Sequence, residues 1–201
     1  MNKISDRIHL TMPYDPQKHH RRSIRLKGYD YTQPGAYYIT LCTKARQCLF
    51  GDVVKGEMRL NSLGHIAFTC WQAIPDHFPH VELDAFVVMP NHLHGILVIS
   101  DTLVGAIHES PLRYPCGSAP KSLGAIVGLY KAAVSKRINT ICNTQGNSIW
   151  QRNYYEIINR NDKSLEKMRQ YVVNNPLGWT DDPENPQHHR ENHELLLDLP
   201  F

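Results

Sequence analysis

The sequence predicts an α+β sandwich with a mostly antiparallel central sheet and helices packed on it. The first observation is the spacing of apolar residues along the chain, which is typical, in order, of a strand, a helix, a hairpin, a helix, a strand and a helix. The second is that 201 residues with 41% hydrophobic content are enough for one well-buried core. We therefore expect a single domain with tails.

The first half of the chain supplies a strand, a small hairpin and a helix. Residues 35–43 are rich in aromatic and β-branched side chains, which favours a strand. Residues 49–54 and 57–60 flank Lys55-Gly56 and predict a small hairpin. Asn61 or Ser62 is a candidate cap for a helix whose apolar residues recur at helical spacing until Pro75.

The second half begins with a predicted antiparallel hairpin, strands 83–89 and 92–99, which Pro90-Asn91 connect. A loop is expected over 101–120, and Ser122 is a candidate cap for a second long helix. Residues 150–158 predict a short strand. Asp162 is then a candidate cap for a last helix that ends at Asn175, because Pro176 cannot continue it.

Two histidines at the start of strand 92–99 form the first candidate site. Side chains alternate across a strand, so His92 and His94 share one face, while Leu93 and Ile96 are expected on the other. Two imidazoles on one face can bind one metal ion. A lone pair of this kind also occurs in structural roles, so the spacing leaves both interpretations open.

The last helix carries the second candidate site. Its apolar stripe is Leu165, Met168 and Val172, while Tyr171 and Asn175 are four residues apart and share an adjacent face. If this face approaches the histidine strand, an amide oxygen joins the imidazoles beside a phenol. A cation there would polarise a phosphodiester, and the phenol would be its nucleophile.

Charge is unevenly distributed, although the net charge is only +3. Residues 1–27 contain seven Lys or Arg and two Asp, whereas 179–201 contain six acidic residues and one Arg. We predict a basic N-terminal arm over 1–27, a domain over 28–178 and an acidic tail over 179–201. Basic arms often bind nucleic acid, and solvated ends explain the pattern equally well.

Targeting signals and cysteine pairing are not expected. No apolar run is long enough for a membrane span, and the first residues lack a signal-peptide core, which favours a cytoplasmic protein without membrane partners. The five cysteines are odd in number and lack Cys-x-x-Cys spacing, which argues for reduced thiols and against a zinc knuckle.

Four blocks in order resemble the REP-associated tyrosine transposases, which belong to the HUH single-strand nucleases. They are Met89-Pro90-Asn91-His92-Leu93-His94-Gly95, Ser122-Leu123-Gly124-Ala125-Ile126-Val127, Trp150-Gln151-Arg152-Asn153-Tyr154-Tyr155-Glu156 and Arg169-Gln170-Tyr171-Val172-Val173-Asn174-Asn175-Pro176. The resemblance extends over residues 21–186, and the ordered set is more specific than any single block.

The resemblance implies a ferredoxin-like core and a transposase-type endonuclease and strand transferase acting on single-stranded DNA near hairpins. His92 and His94 match the metal-binding pair, Asn175 a third ligand, and Tyr171 the nucleophile of a 5′-phosphotyrosine intermediate. Mg²⁺ or Mn²⁺ is the expected cation, and no nucleotide cofactor is expected. Many relatives have a histidine where this chain has Ile157, which removes one expected site group.

Several basic residues are predicted to contact DNA phosphates, in a monomer or a homodimer. These are Arg21, Arg22, Arg25, Lys27, Lys131, Lys136, Arg137 and Arg152. Two alternatives remain open: a domesticated protein that binds DNA or RNA hairpins without cutting, and a rolling-circle replication initiator. The small size and the absence of a helicase-like appendage make the second a weaker match.

Overall fold

The computed structural model describes residues 26, 28–101 and 119–187. The strands are β1 Gly35–Cys42, β2 Gly51–Val54, β3 Glu57–Leu60, β4 Val81–Val88, β5 His92–Ile99 and β6 Tyr155–Ile158. The helices are α1 Ser62–Gln72, α2 Ile74–His77, α3 Leu123–Cys142 and α4 Asp162–Asn174. Two short 3-10 helices cover Lys44–Arg46 and Asn175–Asp181.

The central sheet has four antiparallel strands in the order β4-β5-β1-β6. The chain passes from β1 through α1 to β4, turns back along β5, and reaches β6 through α3. This is a ferredoxin-like arrangement, and β2 and β3 form a separate hairpin between β1 and α1. The predicted α+β sandwich with an antiparallel sheet is confirmed.

Helices cover the two faces of the sheet unequally. On one face lies the main core, where β1 and β5 contribute Ile39, Leu41, Leu93 and Leu97 beneath α1 and α3. On the other face α4 lies against β4 and β5, and its Val172 packs with a smaller apolar cluster. The α4 face holds the histidines, so the end of the sheet that α4 leaves uncovered is available for a site.

The parity of β5 corrects one expectation. Leu93 does face the main core, but Ile96 lies in the smaller cluster with Tyr38 and Val172, on the same face as the histidines. The prediction for Ile96 was wrong because residues 92, 94 and 96 differ by two and must point the same way. Gly95, between them, faces Trp71 on the opposite side.

Helix caps agree with the sequence at two of three positions. Asn61 accepts hydrogen bonds from the amides of Leu63 and Gly64, and Ser122 accepts one from Ala125. At α4 the cap is Asn161, whose side chain accepts from the Ser164 amide, instead of the predicted Asp162. Asp162 becomes the first helical residue, where its negative charge complements the helix dipole.

Element ends differ from prediction where the backbone leaves the sheet. The last strand begins at Tyr155 instead of residue 150, and Trp150 contributes only an isolated bridge to Thr43. After α4 the chain continues through Pro176 as a 3-10 helix. Most of the predicted loop over 101–120 and the basic arm, Lys27 included, lie outside the described residues. Among the described helices, none is long and apolar enough to cross a membrane.

Candidate active site

His92 and His94 lie at the start of β5, with their ring centroids 4.5 Å apart. Both residues are buried, at 0% and 3% exposure. The Nε2 atom of each ring is buried and has no hydrogen-bond partner. Two imidazole nitrogens are therefore held together without a proton donor, which is unfavourable unless another group binds there.

The His92 ring is oriented by Asn91, which is buried in the turn between β4 and β5. The Asn91 amide donates to the backbone carbonyls of Arg46 and Glu184, at 3.0 and 2.7 Å. Its Oδ1 therefore points to Nδ1 of His92, 2.8 Å away, and accepts that ring's proton. The Nε2 atom of His92 is left with its lone pair, as metal binding requires.

The His94 ring is oriented by two hydroxyls of β1. Its Nδ1 hydrogen-bonds with the Tyr38 hydroxyl at 2.7 Å and with the Thr40 hydroxyl at 2.9 Å. The Tyr38 ring also stacks on the His94 ring, with centroids 5.6 Å apart. With Nδ1 engaged in this way, Nε2 of His94 faces the same cluster as Nε2 of His92.

Asp182 completes a cluster of possible metal ligands with His92 and His94. Ligand atoms of the three residues lie within 4.8 Å of one another, and all three are buried. Oδ2 of Asp182 lies 3.8 Å from Nε2 of His92. Two imidazoles and a carboxylate suit a divalent cation, so these residues fit the metal that the sequence predicts.

Asn175 lies at the same place and is 6% exposed. Its Oδ1 is buried and has no hydrogen-bond partner, like the two Nε2 atoms. Its side chain interacts with both His92 and Tyr171, raising the pKa of the first and lowering that of the second. Asn175 is thus placed between the histidine strand and the end of α4.

Burial favours the neutral form of both imidazoles. Burial lowers the pKa of His92, although nearby Asp182 and Glu184 oppose that effect. Burial lowers the pKa of His94 well below its usual value, and the neighbouring His92 adds to the shift. Neutral imidazoles are the form that binds metal ions.

Tyr171, in the last turn of α4, stands beside the cluster. Its ring centroid is 5.3 Å from that of His94 and 6.2 Å from that of Tyr38. The side chain remains 50% exposed, so its hydroxyl is accessible from solvent. Burial of part of the ring raises the pKa of Tyr171, and Asp182 raises it further.

A bidentate ion pair attaches α4 to the edge of the sheet. Nε and Nη2 of Arg169 donate to the Asp84 carboxylate at 2.7 to 3.0 Å. Asp84 lies where the β4–β5 register shifts between Leu83 and Phe86. Such bulges redirect a side chain out of the regular alternation. The ion pair fixes α4 two residues before Tyr171.

An open groove of about 380 Å³ leads from Tyr171 and His94 along the end of the sheet. Its remaining walls come from β1, from the segment before β6 and from the C-terminal segment. The lining residues are Tyr38, Thr40, Cys42, His94, Gln151, Asn153, Tyr154, Tyr155, Tyr171, Asp182, Pro183 and Glu184. The groove therefore gives a ligand access to the Tyr171 side chain.

The predicted basic residues are not brought together at this site. Lys136 and Arg137 are exposed on α3, beside a separate groove on the opposite side of the sheet. Lys131 donates to the backbone carbonyls of Gln151 and Asn153, at 2.9 and 2.8 Å. Arg152 is exposed next to the groove. Arg21, Arg22, Arg25 and Lys27 lie outside the described residues.

Asp182 is the site residue that sequence reasoning missed. The sequence places Asp182 in the predicted acidic tail. In the structure, the 3-10 helix that begins at Asn175 returns the chain to the histidines, and the ring centroids of Trp179 and His92 are 6.0 Å apart. No pattern in the sequence indicates that return, because Asp182 is one of several acidic residues in this segment and belongs to no recognisable motif. Ile157 packs in the smaller apolar cluster under α4.

No protein-family model matches the chain. A solved REP-associated tyrosine transposase bound to a REP hairpin aligns with a TM-score of 0.49 and 20% identity, over 80% of this chain and 81% of that one. A Deinococcus radiodurans protein described as a candidate transposase aligns with a TM-score of 0.37 and 18% identity, over 76% of this chain and 97% of that one.

A protein of Haemophilus influenzae, described as uncharacterised, is much more similar in sequence. It is 42% identical over 178 residues, which cover 86% of this chain and 97% of that protein. The aligned part is nearly the whole of the relative. The chain therefore belongs to the same family as this Haemophilus influenzae protein.

Proposed function

We propose that this protein is a metal-dependent endonuclease and strand transferase for single-stranded DNA, of the tyrosine transposase type, acting near hairpins. The observation that supports it best is the position of Tyr171. Its half-exposed ring lies 5.3 Å from that of His94, whose Nε2 belongs to a group of buried polar atoms without hydrogen-bond partners. A nucleophile beside a candidate metal centre is the minimum that phosphodiester transfer needs.

The cation would be held by His92, His94 and Asp182, with Asn175 as a further ligand. Bound there, Mg²⁺ or Mn²⁺ would polarise the phosphodiester and favour the tyrosinate form of Tyr171. The chain supplies the orientation. Asn91 holds the His92 ring, and the Tyr38 and Thr40 hydroxyls hold the His94 ring.

In the proposed step the Tyr171 oxygen attacks the phosphorus atom of the strand. A bond forms between that oxygen and phosphorus, and the bond from phosphorus to the 3′ oxygen breaks. The phenolic proton leaves to solvent, and the departing 3′ oxygen takes up a proton. The products are a 5′-phosphotyrosyl DNA and a free 3′-hydroxyl, so resealing by the reverse attack needs no nucleotide cofactor.

The test is covalent capture of DNA. The protein is incubated with 5′- or 3′-labelled hairpin DNA carrying single-stranded flanks, with Mg²⁺ or Mn²⁺, and analysed by denaturing electrophoresis. We expect a protein–DNA adduct that keeps the label on the 3′ side of the cut. Tyr171→Phe should abolish the adduct, because the ring remains and the attacking oxygen is lost.

The matched control is Tyr29→Phe, which removes the hydroxyl of a tyrosine packed against the main core on the other face of the sheet. It should leave adduct formation intact. An equal adduct in Tyr171→Phe would exclude Tyr171 as nucleophile. Tight, salt-sensitive hairpin binding without cleavage under any divalent ion would favour the non-cleaving alternative.

A further inference from the structure

Tyr155 lies in the groove, at the position of β6 that is level with His94 across the sheet. In the sheet register Thr40 of β1 pairs with His94 of β5 on one side and with Tyr155 of β6 on the other. Directly paired residues of antiparallel strands project from the same face. Tyr155 is therefore two strand spacings, roughly 10 Å, from His94 on the active-site face.

The Tyr155 ring is available to a ligand. Its side chain is 54% exposed at the edge strand, and it lines the groove that also contains Tyr171 and His94. Exposed aromatic rings beside a nucleic-acid path bind bases by stacking. A tyrosine that served only in packing would be expected to bury more of its surface.

Two acidic residues also line the groove. They are Asp182 and Glu184, and Glu184 is paired with Arg46 at 2.8 Å. Carboxylates at close range repel a phosphate and tolerate an uncharged group. A phosphate is expected only where the cation neutralises Asp182, and the rest of the groove, beside Tyr155, suits an uncharged base.

Two amide side chains also line the groove. They belong to Gln151 and Asn153, and both are exposed. Their backbone is fixed, because Lys131 donates to the carbonyl oxygens of both residues. Exposed amides on a fixed backbone can hydrogen-bond the edge of an unpaired base, which offers donors and acceptors.

We propose that this groove binds one unpaired nucleobase of the strand, next to the phosphodiester that Tyr171 attacks, with the base stacked on Tyr155 and hydrogen-bonded by Gln151 or Asn153. The proposal rests on the nuclease function proposed above. It assigns the groove a role in selecting single-stranded over paired DNA, because a base in a duplex would first have to break its pairing and stacking to enter.

The test is a double-mutant cycle between the ring and the base. Two probes are used: a short DNA hairpin with single-stranded thymidine flanks, and the same hairpin with abasic flanks. Affinity is measured by fluorescence anisotropy in a Tyr171→Phe background, so that binding is observed without cleavage. With Tyr155 present, removal of the bases should weaken binding by roughly 5- to 150-fold.

Tyr155→Phe should keep that difference between the probes, because the ring remains. Tyr155→Ala should weaken binding of the thymidine probe and leave the abasic probe nearly unchanged, so that the two affinities converge. Tyr155→Leu provides a second ring-free variant with a larger apolar side chain than alanine, should the alanine variant fail to fold. Equal weakening of both probes, or no effect on either, would overturn the proposal.

The outcome is separable from that of the nuclease proposal. Adduct formation is scored in protein with Tyr171 intact. An adduct whose substrate affinity does not depend on Tyr155 refutes only the base-binding groove. Convergence of the two probes in Tyr155→Ala without any adduct supports the groove and refutes the nuclease.

Discussion

At the scale of single residues, three buried polar atoms at one place need an explanation. The Nε2 atoms of His92 and His94 and the Oδ1 atom of Asn175 all lack hydrogen-bond partners. Leaving one such atom unsatisfied costs about 1–3 kcal/mol. Their orientation is not accidental, since Asn91, Tyr38 and Thr40 hold the other ring nitrogens. A bound cation would satisfy all three atoms together.

The carboxylate of Asp182 distinguishes this site from a pair of imidazoles with an amide. We predict that Asp182→Asn weakens Mn²⁺ binding about tenfold or more, because the only anionic member of the ligand cluster becomes neutral. The asparagine retains an oxygen that can accept the hydrogen bond from the Glu184 amide, so the local fold should persist. Isothermal titration calorimetry measures the affinity.

The neighbouring Asp181 gives the matched control for this substitution. It is exposed and carries the same charge one residue away. Asp181→Asn should leave the Mn²⁺ affinity nearly unchanged, because solvent screens the charge of this exposed side chain. Equal weakening by both variants would mean that Asp182 acts through general charge and does not bind the ion.

At the scale of elements, β5 has two faces with different requirements. His94 faces the candidate active site, whereas Gly95 faces Trp71, a fully buried residue of α1. A Cβ atom at position 95 would lie 2.3 Å from Cζ2 of Trp71. The glycine of the His-Leu-His-Gly block is thus explained by the approach of an indole ring to the strand backbone.

We predict that Gly95→Ala lowers the free energy of unfolding by about 1–3 kcal/mol, because the Trp71 ring or the strand must shift in a packed core. Urea unfolding followed by tryptophan fluorescence measures it. Gly178→Ala is the control, as nothing lies within 4 Å of a Cβ built there. A destabilisation in Gly178→Ala as large as in Gly95→Ala would argue against the steric reason.

The attachment of α4 to β4 gives a pH-dependent prediction. The Arg169 guanidinium beside Asp84 holds the pKa of that carboxyl below its usual value. A depressed pKa in the folded state contributes stability above the unfolded pKa, near 3.9. That contribution is lost as the pH falls through the folded pKa. The stability of α4 packing therefore depends on Asp84 being ionised.

We predict that Asp84→Asn lowers the urea midpoint of unfolding at pH 7, and that the difference from the unchanged protein shrinks in acid, below the usual pKa of aspartate. The control is Glu166→Gln, whose carboxylate contacts Arg169 only at 3.5 Å from an exposed position. It should have little effect at either pH. A difference that persists unchanged in acid would show that charge is not what Asp84 contributes.

At the scale of the whole molecule, local sequence patterns were sufficient to predict most helices and strands. Contacts between segments that are distant in sequence could not be predicted from them. The period of the apolar residues predicts β1, β5, α3 and α4 to within a few residues, because burial imposes that period. Asp182 was missed because its position depends on the 3-10 helix packing back against the sheet. The groove was missed for the same reason, as three distant segments form it.

The position of α4 decides whether one molecule contains a complete site. Tyr171 and the histidines of the same chain already lie together, and Arg169 secures the helix to β4 of that chain. We predict that mixing Tyr171→Phe with His94→Ala, each inactive alone, restores no adduct on hairpin DNA. Each mixed site would still lack either its nucleophile or one of its ligands.

The alternative is a site shared between two chains. Exchange of α4 between protomers would combine an intact Tyr171 from one chain with intact histidines from the other. In that case the mixture should recover about a quarter to a half of the adduct of the unchanged protein, as random pairing would give. The assay is denaturing electrophoresis over a range of protein concentrations, with the unchanged protein diluted into either variant as the reference. Recovery that rises with concentration would exclude a site built within one chain.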